Sequence, residues 1–77
     1  MKLTIAQVDK TLWSGDAESV TVPGKAGVMT VLAHHMPLIS TLKAGDITVR
    51  KKDGAEEKIT IASGFIEVGK VETTILV

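Results

Sequence analysis

His34 and His35 are the only imidazoles in the chain, and imidazole is the side chain most suited to metal binding and proton transfer near neutral pH. Neighbouring residues on an extended strand project to opposite faces, so a single ion would not reach both. The chain contains no cysteine, and no carboxylate lies within six residues of the pair. A zinc site needs three or four convergent ligands, so the pair is read as part of a surface corner, closed by Pro37. Nucleophilic catalysis has no better footing. No serine sits in a nucleophile elbow, and a Ser-His-Asp arrangement would have to be collected from scattered residues.

Two further patterns carry chemistry in other proteins. Residues 64–70, Gly-Phe-Ile-Glu-Val-Gly-Lys, have the GxxxxGK spacing of a phosphate-binding loop. In such a loop a Gly-rich cradle leads into a helix, and Ser or Thr follows the lysine to hold magnesium. Here the four intervening residues alternate as a strand does and Val71 follows the lysine, so the stretch is read as a strand and a turn. Lys52 stands at a predicted hairpin tip, where lipoyl- or biotinyl-type carrier domains present their modified lysine. It lacks the acidic and apolar neighbours of such a site, and that reading is kept as an alternative. The titratable residues thus point to no enzyme, and no catalytic, cofactor or metal residue is assigned.

The stretch of chain that stands out is apolar. Residues 20–39 read as a strand, a Pro23-Gly24 turn with Gly27, a returning run Val28-Met29-Thr30-Val31-Leu32, and a corner Ala33-His34-His35-Met36-Pro37. Proline pre-sets one backbone torsion, and glycine takes positive φ readily. Five nearly all-apolar residues on one strand of a two-layer protein cannot all face inward. Part of this run is therefore expected at the surface, beside the turn, where it suits a partner.

Seventy-seven residues make one domain, residues 1–77, with 44% apolar content and a formal net charge of zero. A domain this small buries roughly 60% of the surface its unfolded chain exposes. Trp13 and Phe65 are the only aromatics, so the core must be built from Val, Ile, Leu, Ala and Met. Nine basic residues balance nine acidic ones and only one is arginine, which argues against a nucleic-acid surface. No apolar run approaches the ~18 residues of a membrane span, and Met1-Lys2 leads straight into strand sequence without a signal peptide; a soluble chain is expected.

The elements that must position these residues are strands. Alternation recurs in residues 3–8, 11–13, 17–22, 38–42, 47–49, 59–61, 65–68 and 71–77, with breaks at Asp9-Lys10, Ser14-Gly15-Asp16, Lys43-Ala44-Gly45, Lys52-Asp53-Gly54, Ser63-Gly64 and Gly69-Lys70. Asp53-Gly54 between two β-branched runs is a strong hairpin signal. Turn signals every few residues and the dominance of β-branched side chains predict an all-β fold, an antiparallel sandwich or barrel.

Several of these pieces, taken in order, are similar to one family. Ser14-Gly15-Asp16-Ala17-Glu18-Ser19-Val20-Thr21-Val22-Pro23-Gly24, Gly27, His35-Met36-Pro37-Leu38-Ile39, Ala44-Gly45, Asp53-Gly54 and Ser63-Gly64-Phe65-Ile66-Glu67-Val68 resemble the N-terminal β-sandwich of the epsilon subunits of F-type ATP synthases. The chain departs from that pattern at Thr30 and Ala33, which replace a glycine and a proline, at Ala44 for a proline and at Ser63 for a glycine. The family's C-terminal helical pair does not fall within these 77 residues. The resemblance implies a small antiparallel sandwich of two sheets and about ten short strands. It implies a non-catalytic rotor subunit that binds the gamma subunit and the membrane c-ring and helps carry torque between them, with no cofactor and no direct nucleotide binding. It places the c-ring contact at Lys25, Ala26, Gly27, Val28, Met29, His34 and His35, and the gamma contact at Ser63, Gly64 and Phe65. It also implies a location peripheral to an energy-transducing membrane, on its cytoplasmic side (or the organellar equivalent), as part of F1.

Overall fold

A computed structural model describes residues 1–33 and 37–77 of the chain. Nine strands are present among the described residues: β1 (Lys2–Gln7), β2 (Lys10–Asp16), β3 (Ser19–Gly24), β4 (Gly27–Leu32), β5 (Leu38–Leu42), β6 (Gly45–Arg50), β7 (Glu56–Ile61), β8 (Gly64–Val68) and β9 (Glu72–Leu76). The all-β sandwich expected from the alternation is what forms. The count is nine where about ten were expected, and one pairing, β1 with β9, is parallel.

One layer has the order β2-β1-β9-β8-β5, and the other has β3 between β4 and β6, with β7 beyond. Between them lie Leu3, Ile5, Leu42, Ile66 and Ile75 from the first layer and Val20, Val22, Val31, Ile47 and Val49 from the second, all essentially without solvent exposure. They occupy alternate positions on their strands, which is why the sequence alternates. Each such side chain contributes about 1.5–3 kcal/mol by leaving water. Neither aromatic ring belongs to this set.

The layers are joined by backbone at one corner. β5 and β6 behave as one strand bent at residues 43–45, running along the same side of β3. Leu42 pairs with Gly24, the Lys43 amide donates to the Pro23 carbonyl at 2.9 Å and the Lys25 amide to the Thr41 carbonyl at 3.0 Å. Farther along, Thr48, Val49 and Arg50 pair with Thr21, Val20 and Ser19. Pro23 has no amide to offer this ladder, so the bend falls where a ladder bond is missing in any case. A strand that changes sheets through such a bend makes a corner of a sandwich.

Two turns and one strand register differ from the expectation. Pro23 and Gly24 remain in β3 and are buried, and the reversal is made by Lys25 and Ala26, with Gly24 paired to Gly27. Ser14, Gly15 and Asp16 do not break the chain but finish β2, pairing with Thr4, Leu3 and Lys2. The register slips between Ile5 and Ala6, so that Leu12 and Trp13 both lie opposite Ile5. This β-bulge turns two consecutive residues onto the core, and both pack against it half-buried. The Asp53-Gly54 turn holds as expected. The Gly54 amide donates to the Lys51 carbonyl at 3.0 Å, the Ala55 amide to Asp53 Oδ1 at 2.9 Å, and Gly54 takes φ of +90°.

Candidate interaction surface

The hairpin predicted to meet a partner projects from one end of the sandwich. Lys25 and Ala26 form its two-residue tip and Gly27 opens β4; all three are exposed. Val28 follows at 72% exposure. Met29 points the other way and packs half-buried against the core, as alternation requires. His34 and His35 lie outside the described residues. Ala33, their described neighbour in sequence, sits beyond the far end of β4, a strand of six residues and hence ~20 Å from the tip at about 3.3 Å per residue.

Ser63, Gly64 and Phe65 share the hairpin end. Gly64 pairs with Leu42, which itself pairs with Gly24 at the base of the hairpin. Ser63 is exposed, and Phe65 is 44% exposed on the outer face of the first layer. Phe65 lies opposite Thr41 on β5 and Leu76 on β9. Leu76 is exposed on the same face, and Ile39, two residues from Thr41 on β5, is exposed at 72%. The hairpin part of the first set, Lys25 to Met29, and the second set are thus brought to one end of the molecule and its adjoining flank. Sequence reasoning missed Ile39 and Leu76 as surface residues. The signal was available in their parity: each sits one position from a residue that faces the core, Leu38 or Ile75.

The opposite end is held by charge. The amino group of Met1 donates to Asp16 Oδ1 at 2.9 Å and to the Ala17 carbonyl at 2.7 Å. Lys52 Nζ lies 2.9 Å from Asp16 Oδ2. Hydrogen bonds from the Met1 ammonium and then from Lys52 hold the Asp16 carboxyl well below its ordinary value, to about 2, although it is exposed. The same contact raises the pKa of Lys52. This ion pair links the β6–β7 loop to the end of β2. On the outer face of the second layer Arg50 Nη2 meets Glu56 Oε2 at 3.0 Å and Thr60 Oγ1 donates to Asp46 Oδ1 at 2.7 Å. The phosphate-loop spacing of residues 64–70 falls on β8 and the turn that follows it, a strand with no helix N-terminus to hold an anion. What these surfaces offer a partner is shape, apolar contact and a few lysines.

Residues 1–77 match the family model of the ATP synthase delta/epsilon chain beta-sandwich domain. The ATP synthase epsilon chain of Dichelobacter nodosus is 40% identical over 72 residues, covering 94% of this chain and 50% of that protein. That of Mesorhizobium japonicum is 37% identical over 75 residues, covering 97% and 56%. The chain spans about half the length of these curated relatives. Among solved structures, a chain of the Euglena gracilis mitochondrial ATP synthase, OSCP/F1/c-ring in rotational state 1, superposes with a TM-score of 0.90 at 25% identity over 96% of this chain and 48% of that one. A chain of the Tetrahymena thermophila mitochondrial ATP synthase central stalk and c-ring gives 0.81 at 12% identity, covering 97% and 60%, and shares the fold. With every residue inside the family match and a sandwich that superposes on these structures, the chain belongs to the ATP synthase delta/epsilon chain beta-sandwich domain family.

Proposed function

We propose that the 77 residues act as one unit, the sandwich of an ATP synthase epsilon chain, and serve as a non-catalytic part of the F1 central stalk that couples the gamma subunit to the c-ring. The observation that supports this is the match across the whole chain, together with a structural relative at a TM-score of 0.90 within an F1/c-ring assembly. In this reading the Lys25–Gly27 tip and Val28 face the ring, with Met29 bracing the hairpin from inside and His34 and His35 extending the contact. Ser63, Gly64 and Phe65 face gamma. No helix among the described residues is long and apolar enough to cross a membrane, and the chain would be held on the cytoplasmic face of an energy-transducing membrane through its partners.

A rigid sandwich suits that task, because torque crosses interfaces without being absorbed by a yielding part. The test is co-expression of the chain with gamma and the c-ring, followed by affinity capture. Val28→Asp and His35→Asp are expected to reduce ring capture while gamma capture persists, and Phe65→Asp to do the reverse. Capture of neither partner by the unmodified chain would overturn the proposal, and indifference of ring capture to both aspartates would overturn the ring assignment.

A further inference from the structure

We propose that the open edge of β4 is a self-pairing surface, through which two copies of this chain join as a twofold-symmetric dimer with one continuous sheet. The inference does not depend on the rotor reading. It starts from the way the four layer edges are finished. The edge strand β2 carries Lys10, Asp16 and a bulge, and β7 carries Glu56, Glu57 and Lys58. β5 is uncharged, but its open side is taken at one end by Gly24 and Lys25 and Pro37 precedes its other end. Charges, bulges and covered ends are the devices that keep sheet edges from pairing. β4, with the sequence Gly-Val-Met-Thr-Val-Leu, has none of them, and among the described elements it pairs with β3 alone.

The free backbone groups of that edge have a particular symmetry. A two-residue hairpin closes on a hydrogen-bonded pair, here Gly24 and Gly27, and bonded and non-bonded pairs then alternate. Val22–Met29 and Val20–Val31 are therefore bonded pairs, whereas Pro23–Val28, Thr21–Thr30 and Ser19–Leu32 are not. The Pro23 carbonyl confirms the parity by accepting from Lys43 on the other side of β3. The amides and carbonyls of Val28, Thr30 and Leu32 consequently point out of the sheet edge, at three alternating positions centred on Thr30. A second copy turned about a twofold axis through Thr30 would match them group for group: Thr30 against Thr30, and Val28 against Leu32 in each direction. That register forms six backbone hydrogen bonds. It also sets Val28, 72% exposed, against Leu32, 56% exposed, as a cross-strand apolar pair on the outer face. An interface of this kind is isologous and closes on itself.

One strand pair buries less than the ~1,200 Å² of a standard interface, so the dimer should form at micromolar to millimolar dissociation constants. Sedimentation velocity and equilibrium of the 77-residue chain between about 10 µM and 1 mM would show a monomer–dimer equilibrium, with exchange protection of the Val28, Thr30 and Leu32 amides growing with concentration. Thr30→Lys places like charges face to face at the axis and is expected to weaken the dimer at least tenfold. Thr30→Pro deletes the central outward amide, spares the backbone bonds to β3 and loses on that side only the hydroxyl contact with Thr21 at 2.9 Å; it should do the same. A chain that stays monomeric to 1 mM, a dimer indifferent to Thr30→Lys, or protection of these amides only when a different protein is added would each overturn the proposal.

Discussion

Replacing Gly45 by alanine tests the corner that joins the two layers. A Cβ at that position would lie 2.9 Å from Pro23 Cβ and 3.2 Å from Pro23 Cγ, well inside the ~3.5–4.0 Å at which carbon atoms rest. Pro23 cannot swing away, since it is buried and its carbonyl holds the Lys43 amide. Forcing a methyl group into such a site costs about 1–3 kcal/mol, and an L-residue at φ of +156° adds about 1 kcal/mol. Gly45→Ala should therefore lose about 2–4 kcal/mol, against a total stability of about 5–15 kcal/mol for a domain. Gly54→Ala is the control. It also requires positive φ, but no atom lies within 4 Å of its added Cβ, so about 1 kcal/mol of backbone strain is all it should show. Urea unfolding followed by the fluorescence of the single tryptophan, Trp13, reads both variants, with unchanged m-values confirming that the unfolded states are comparable. The expected midpoint drop for Gly45→Ala on heating is about 10–25 °C. If Gly45→Ala proves no less stable than Gly54→Ala, the corner does not depend on the contact with Pro23 and the account of the bend is wrong.

Asp16→Asn probes the charged end. The folded-state carboxyl titrates near 2, below its ordinary value of 3.8, so the contribution of Asp16 is present above pH 3.8 and disappears as pH falls towards 2. Thermal midpoints of wild type and Asp16→Asn should differ at pH 7 and converge across that window; a constant offset down to pH 2 would exclude the ion pairs as the cause. Val28 and Met29, adjacent on β4, should separate surface from core. Val28→Asp should change stability by less than about 0.5 kcal/mol, while Met29→Asp, which turns a carboxylate towards the core, should lose about 2 kcal/mol or more, both read by the same urea titration.

Much of the fold can be read in the sequence because strand burial follows parity. Leu3 and Ile5, Val20 and Val22, Ile47 and Val49 announce their strands and their inward faces together. The hairpin at Asp53-Gly54 is equally local, since positive φ at the glycine is a property of two residues. Pro23-Gly24 misled for a physical reason: the proline marks a missing ladder amide at a strand corner, and nothing local distinguishes that from the first residue of a turn. The bulge at Leu12-Trp13 and the passage of β2 through Ser14-Gly15-Asp16 depend on what β1 presents across the sheet. The predicted contact residues at the hairpin and at Ser63-Gly64-Phe65 do converge on one end. Their closeness rests on the Gly24–Leu42–Gly64 pairings, which tie together positions far apart in the chain and leave no local trace. Ile39 and Leu76 were hidden inside runs that look uniformly apolar until the faces are assigned.

The parallel pairing of β1 with β9 has a kinetic consequence. β1 finds β2 within a few residues of itself, but its other edge stays bare until Glu72 to Leu76 have been made, because no earlier segment can take that place. Closing so long a stretch of chain is an entropic toll met before any compensating contact forms. Folding of this domain should therefore be slow for its size, and a nascent chain still lacking β9 would leave the β1–β2 pair unattached to β8 and β5, with Leu3 and Ile5 open to whatever surrounds the ribosome.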